Sequence, residues 1–168
     1  MNRPNGTMQM KLWIAPAGLH IKPASTAHVP TLARIHQRGF FHGWKENEFS
    51  SYLARPDQTP IYVASDKKNR VAGFMVLRLA KEEAELLTIM VEPKWQGKGV
   101  GKALLRAGFD DLLASETRAM FLEVDSNNEA AISLYRGFGF KQIGARPGYY
   151  SLKDGGKATA IVMRIDMV

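Results

Sequence analysis

Gln96-Gly97-Lys98-Gly99-Val100-Gly101-Lys102 is the stretch on which the reading of this chain turns. It follows an apolar run closed by Glu92-Pro93. It precedes a segment, Gly101 to Ser115, in which Leu104, Leu105, Phe109, Leu112 and Leu113 recur at helical spacing. Glycines allow a tight turn and let backbone N–H groups come close to a ligand. The helix that follows opens with unpaired N–H groups and a partial positive charge. With Lys98 and Lys102 beside it, the turn reads as a cradle for phosphate. Two familiar phosphate motifs fail. A Walker loop anchored on Gly101-Lys102 would need glycine at Gln96 and Ser or Thr at Ala103. A dinucleotide fingerprint starting at Gly97 would need glycine at Lys102, and one starting at Gly99 would need it at Leu104.

Working outward, the alternation and breakers predict a first strand at Leu19 to Lys22. A helix capped by Ser25 or Thr26 follows, running to Arg38 with Val29, Leu32, Ala33 and Ile35 on its apolar side. A second helix spans Lys45 to Arg55 and stops at Pro56. Ile61 to Ser65, Val71 to Leu79 and Leu86 to Val91 read as three strands joined by polar turns, an antiparallel meander. Beyond the Gly101 helix come a strand at Ala119 to Val124 and a helix at Asn128 to Arg136. Two strands follow, near Phe140 to Ala145 and Ala158 to Ile165. The order gives an α+β domain with a mixed, mostly antiparallel sheet of about seven strands and four helices. Residues 1–17, with Pro4, Gly6, Pro16 and Gly18 nearby, read as a flexible extension ahead of a single domain over 18–168.

Composition narrows the function. The 168 residues are 45% hydrophobic and 23% charged, as in ordinary globular proteins. There is no cysteine, which removes disulfides, cysteine-ligated metals and a cysteine nucleophile from consideration. No apolar run approaches the roughly 18 residues that span a bilayer. Met1 to Met10 lacks the apolar core of a signal peptide, so a cytoplasmic protein with no membrane partner is expected. The net charge of +7 suits an anionic partner or, equally, a solvated basic surface. The four histidines, His20, His28, His36 and His42, are read as surface or packing residues. His28 and His36 lie eight apart, not at the i, i+4 spacing of a zinc pair, and no metal is expected.

Two side chains stand out as chemistry. Glu123 interrupts the apolar strand Ala119 to Val124, where Phe121 and Glu123 face one side and Met120, Leu122 and Val124 the other. A carboxylate so placed is either partly buried, and a better base for it, or sits at the frayed end of the strand and points at water. Twelve residues on, Tyr135 shares a helix face with Ala130, Ala131 and Leu134. It is either a core ring or a proton donor.

With these residues in hand, the turn matches Gln-x-x-Gly-x-Gly and resembles the pyrophosphate loop of the GNAT acetyltransferases. Ile89-Met90-Val91-Glu92-Pro93, with Gln96 through Leu105, is similar to the cofactor half of the RimI-type ribosomal-protein-alanine N-acetyltransferases. Glu123-Val124, Asn127-Asn128, Ala130-Ala131-Ile132, Leu134-Tyr135 and Phe138-Gly139-Phe140 resemble their second half. Arg146-Pro147-Gly148-Tyr149-Tyr150 and Ala160-Ile161-Val162-Met163 resemble their last strands. The resemblance spans about residues 70 to 165.

It implies acetyl-CoA as co-substrate, Glu123 as general base and Tyr135 as general acid. By position, Ile89, Met90 and Val91 would hold the acetyl and pantetheine arm. Gln96, Gly97, Lys98, Gly99, Val100, Gly101 and Lys102 would hold the pyrophosphate, and Asn128 is a further contact. The implied acceptor is a protein N-terminus, the alanine of a small-subunit ribosomal protein. Asp125 and Thr159 depart from the family pattern at the peptide rim. Such an acceptor is basic, so Glu82, Glu83 and Glu85 are expected to form an acidic rim for it.

Amine chemistry separates the candidate acceptors. Near pH 7 roughly a tenth of α-amino groups are neutral, against about four in ten thousand lysines. A modest carboxylate base therefore suits an N-terminus better than a lysine. The alternatives are acetylation of lysine or a small amine, and an RNA-binding module using Phe40, Phe41, Trp44 and Trp95. No RNA-recognition signature supports the last, and the first three of those aromatics are expected to close the core between the first two helices.

Overall fold

In the computed structural model, which describes residues 11–40, 42–151 and 154–167, the first half alternates short elements. They are β1 (Trp13–Ile14), β2 (His20–Pro23), α1 (Val29–Gly39), α2 (Glu46–Leu53), β3 (Ile61–Ser65), β4 (Val71–Ala80) and β5 (Glu83–Val91). The second half continues with α3 (Val100–Leu113), β6 (Ala119–Asp125), α4 (Glu129–Phe138), β7 (Lys141–Ser151) and β8 (Lys157–Asp166). The strands form one eight-stranded sheet in the order β1-β2-β3-β4-β5-β6-β8-β7. All neighbours are antiparallel except β5 and β6, which run parallel. A parallel pair needs a crossover, and α3 supplies it. The α+β class and the β3-β4-β5 meander follow expectation, with eight strands in place of about seven.

Three boundaries differ from the sequence reading, each for a physical reason. Trp13 and Ile14, inside the expected extension, pair with Ile21 and His20. Trp13 stands edge-on to Tyr62 at 5.7 Å, and Lys11 reaches Asp111 at 2.6 Å, so tertiary contacts order a segment with no period of its own. Met1 to Met10, the rest of that segment, lie outside the described residues. β5 starts at Glu83 rather than Leu86, because Glu83 to Glu85 pair with β4 on one side and, in the parallel ladder, with β6 on the other. β7 runs to Ser151, well past Ala145. Pro147 and Gly148 hide it from a propensity reading, and they sit where its register with β8 breaks, between Arg146 and Tyr150.

The sheet is covered on both faces. Tyr62, Ala64, Met75 and Leu77 pack with α3 and α4, whereas Ile61, Val63, Phe74 and Val76 pack with α1 and α2. Two covered faces explain why β3 and β4 read as near-continuous apolar runs.

His36 anchors the second layer. It is 3% exposed and lies between the rings of Phe40 and Trp44, each centred 4.4 Å away, and its Nδ1 accepts the Trp44 N–H at 2.9 Å. Trp44 therefore packs against the core between α1 and α2, as expected, whereas Phe40, 38% exposed, only covers the histidine ring; Phe41 is outside the described residues. Burial disfavours the imidazolium and lowers the His36 pKa to about 4. The unfolded chain, with histidine near 6.5, binds the extra proton first. Stability from this group is thus present above about pH 6.5 and lost as pH falls toward 4. Melting temperature should fall across that window, and His36→Leu should flatten this part of the profile at the cost of the Trp44 N–H bond.

Candidate active site

The parallel pair β5 and β6 is joined only at its start, from Glu83↔Ala119 to Leu86↔Leu122. Beyond Leu86 the strands part. The ladder of β5 with β4 slips there, Leu77 facing Leu86 and Val76 facing Thr88, so Leu87 is an extra residue and the strand bends. β5 then stays with β4 through Ile89, Met90 and Val91, while β6 stays with β8 through Glu123 and Asp125. The edges facing each other are left without a ladder. An extended ligand can lie in such a gap as an added strand, bonded to backbone on its flanks. Ile89, Met90 and Val91 form one wall, and Glu123 is the first residue of the other.

The glycine turn lies at the open end. A single helical turn, Pro93–Trp95, leads from β5 to Gln96, whose Nε2 donates to the Val91 carbonyl at 3.0 Å and ties the turn to the strand. Gly99 caps α3 in the left-handed region at φ 81°, a conformation that favours glycine. No side chain caps the helix there, so its first N–H groups face outward. Lys94 and Lys98 lie over the Trp95 ring at 5.6 and 5.3 Å, and Lys102 projects from the first turn of α3.

The two expected proton carriers belong to opposite faces of the sheet. Glu123 shares its face with Phe121, away from Met120, Leu122 and Val124, which pack with α3 and α4. Its side chain is 24% exposed, and Oε1 is 3.2 Å from the Arg146 Nη1. Partial burial was one of the two expectations, and the counter-ion was in neither. Tyr135, 5% exposed, lies in the other core with its ring edge-on to Phe140 at 5.9 Å. The gap connects the two faces. α1 reaches it as well: a Cβ on Gly39 would stand 2.2 Å from the Met90 Cε, so the α1–α2 connection begins against the β5 wall on the Glu123 face.

Other expected residues turn out to shape the backbone. Asn128 Oδ1 accepts the Ala131 N–H at 3.1 Å and caps α4, and Asp125 Oδ1 accepts the Asn127 N–H at 2.8 Å in the turn before it. The acidic rim is a correction. Glu82 pairs with Arg118 at 3.3 Å and Glu85 with Arg78, at the hairpin end of β5 where β5 and β6 are still zipped. These carboxylates are neutralised and lie at the end of the strand away from the gap.

Sequence reasoning missed one residue and one contact. Thr88 Oγ1 is buried with no hydrogen-bond partner among the described residues, at the bulge where the gap opens. A lone hydroxyl in the apolar run Leu86 to Val91 was the available signal. Arg146 was legible as part of Arg146-Pro147-Gly148-Tyr149-Tyr150, but its contact with Glu123 was not. Among the described residues no helix is long and apolar enough to cross a membrane.

The gap between β5 and β6 thus ends beside the glycine turn and the start of α3, with Glu123 on one face of the sheet and Tyr135 in the core on the other. Residues 29–140 match the model of the acetyltransferase (GNAT) family, and the chain belongs to it. It is an N-acetyltransferase that uses acetyl-CoA. Within the family it is 31% identical over 145 residues to the ribosomal protein bS18-alanine N-acetyltransferase of Escherichia coli strain K12, covering 86% of this chain and 95% of that one. It is 35% identical over 127 residues to the N-alpha-acetyltransferase RimI of Mycobacterium tuberculosis, covering 73% and 75%. The crystal structure of the ribosomal-protein-S18-alanine N-acetyltransferase from Escherichia coli matches with a TM-score of 0.80 at 30% identity, over 89% of this chain and 96% of that one. The residues present fit acetyl-CoA: open strand edge for an extended amide-bearing arm, and outward N–H groups with lysines for phosphates.

Proposed function

We propose that this chain acetylates the α-amino group of a protein N-terminus, the alanine of a small-subunit ribosomal protein being the favoured acceptor, in the cytoplasm. The observation that carries the reading is the Glu123 carboxylate at the mouth of the strand gap, in a chain that aligns along most of its length with alanine N-acetyltransferases.

Bound acetyl-CoA supplies an acetyl group activated as a thioester. Ile89, Met90 and Val91 hold its arm through backbone groups on the open edge of β5. Gln96 keeps the turn docked, and Gly97 to Lys102 hold the phosphates, Lys98 and Lys102 by charge. Asn128 shapes the start of α4 beside the arm. The acceptor enters from the Glu123 face. Glu123, directly or through one water, takes the amine proton as nitrogen attacks the carbonyl carbon. N–H groups of the β5 edge bear the negative charge that develops on the carbonyl oxygen. Tyr135, from the opposite face, gives its proton to the departing sulfur. Transfer is direct, with no acyl-enzyme.

Mass spectrometry of peptides incubated with acetyl-CoA tests this. A peptide beginning with alanine should gain one acetyl group at its α-amine, and a peptide with a blocked N-terminus and an internal lysine should gain none. Acetylation confined to the lysine would replace the reading with that of a side-chain acetyltransferase.

A further inference from the structure

Arg146 has no part in the mechanism above, yet its guanidinium occupies the side of Glu123 from which an acceptor amine would come. Its position follows from the sheet. Across three adjacent strands Asp125 faces Ala160 and Ala160 faces Arg146, and two residues along Glu123 faces Val162. Directly opposed residues share a face, so Arg146 and Glu123 project on the same side, with β8 between them. The short side chain of Ala160 leaves room for the arginine to lie across and reach Oε1 at 3.2 Å. Just beyond Arg146 the β7–β8 register breaks, and Gly148 takes φ 67°, carrying Pro147 to Tyr149 out of the ladder. That excursion brings the Tyr149 ring to 5.3 Å from the guanidinium carbon. The arginine side chain is 57% exposed and has the carboxylate and the ring within reach together.

From this geometry we infer that Arg146 is a placeholder for the acceptor ammonium, balancing Glu123 in the empty site and yielding the carboxylate when the cationic amine arrives. A guanidinium and an ammonium carry the same charge, so each weakens the other's hold when both crowd the one carboxylate. The displaced guanidinium retains the Tyr149 face as a resting place. Arg146 thus sets acceptor affinity by competition and is a specificity-determining residue that touches no reacting atom. The inference rests on the proposed role of Glu123 as the group that receives the amine.

Steady-state kinetics of Arg146→Gln and Arg146→Lys test it. Removing a partly exposed competitor should lower the acceptor KM roughly two- to five-fold, the strength of an exposed ion pair. The kcat and the acetyl-CoA KM should stay as they are. Arg146→Lys, which restores a cation, should return the acceptor KM toward the wild-type value. A raised acceptor KM, a lowered kcat or unchanged kinetics in Arg146→Gln would each overturn the inference. The comparison is made with whichever amine the wild-type enzyme acetylates. Loss of the N-terminal reading therefore shows in the identity of that amine, and failure of the placeholder shows in the KM ratio. Unchanged acetyl-CoA binding confirms that each variant is folded.

Discussion

Replacing Glu123 by glutamine should lower kcat/KM for an alanine-initiated peptide about 10²- to 10³-fold, within the range general bases contribute. The substitution keeps the size and hydrogen-bonding ends of the side chain but cannot take a proton. An α-amine is already about one-tenth neutral near pH 7, so the loss falls toward the lower part of that range. The same fact gives the deficit a pH signature. As pH rises through about 8 the amine arrives without its proton, and variant and wild type should converge. A deficit that stays constant with pH would mean that Glu123 acts by shape or charge alone. Acetyl-CoA affinity should not change, because the carboxylate lies on the acceptor face of the gap.

Tyr135→Phe should lower kcat about 10²-fold while leaving both KM values near those of the wild type. The phenol serves the leaving group, and a thiol of pKa about 8.5 departs fairly well unaided, which keeps the effect at the low end for acid catalysis. The ring remains, so its packing against Phe140 at 5.9 Å and the α4 core are kept. Equal melting temperatures for variant and wild type, with the kcat loss in place, separate chemistry from packing. A variant with full kcat would return Tyr135 to the role of a core ring.

Much of this site was legible before the structure because its chemistry is local. The glycine turn and its helix can be read from spacing alone, since φ at Gly99 and the exposed N–H groups of α3 depend on neighbours in sequence. Glu123 was visible because a carboxylate in an apolar strand breaks the period-two pattern. What sequence could not supply is what depends on register. The gap exists because pairing of β5 with β6 stops at Leu86 and Leu122, and a bulge at Leu87 leaves no compositional mark. The Arg146–Glu123 contact reaches across β8, between two strands that do not pair with each other. The acidic-rim reading failed for the same reason, as Glu82, Glu83 and Glu85 say nothing in sequence about which end of a strand faces the gap. β1 escaped notice because Trp13 and Ile14 are ordered by Tyr62 and β2, not by propensity.

Amide hydrogen exchange with and without acetyl-CoA tests most directly whether the gap between β5 and β6 is its seat. Acetyl-CoA should slow exchange in Ile89 to Val91 and in Gly97 to Lys102, and leave β1 and β2 as they were. Protection falling on Trp13, Ile14 and Arg106, which line a groove beside α3 that shares Gly99 and Lys102 with the turn, with Ile89 to Val91 unchanged, would contradict it.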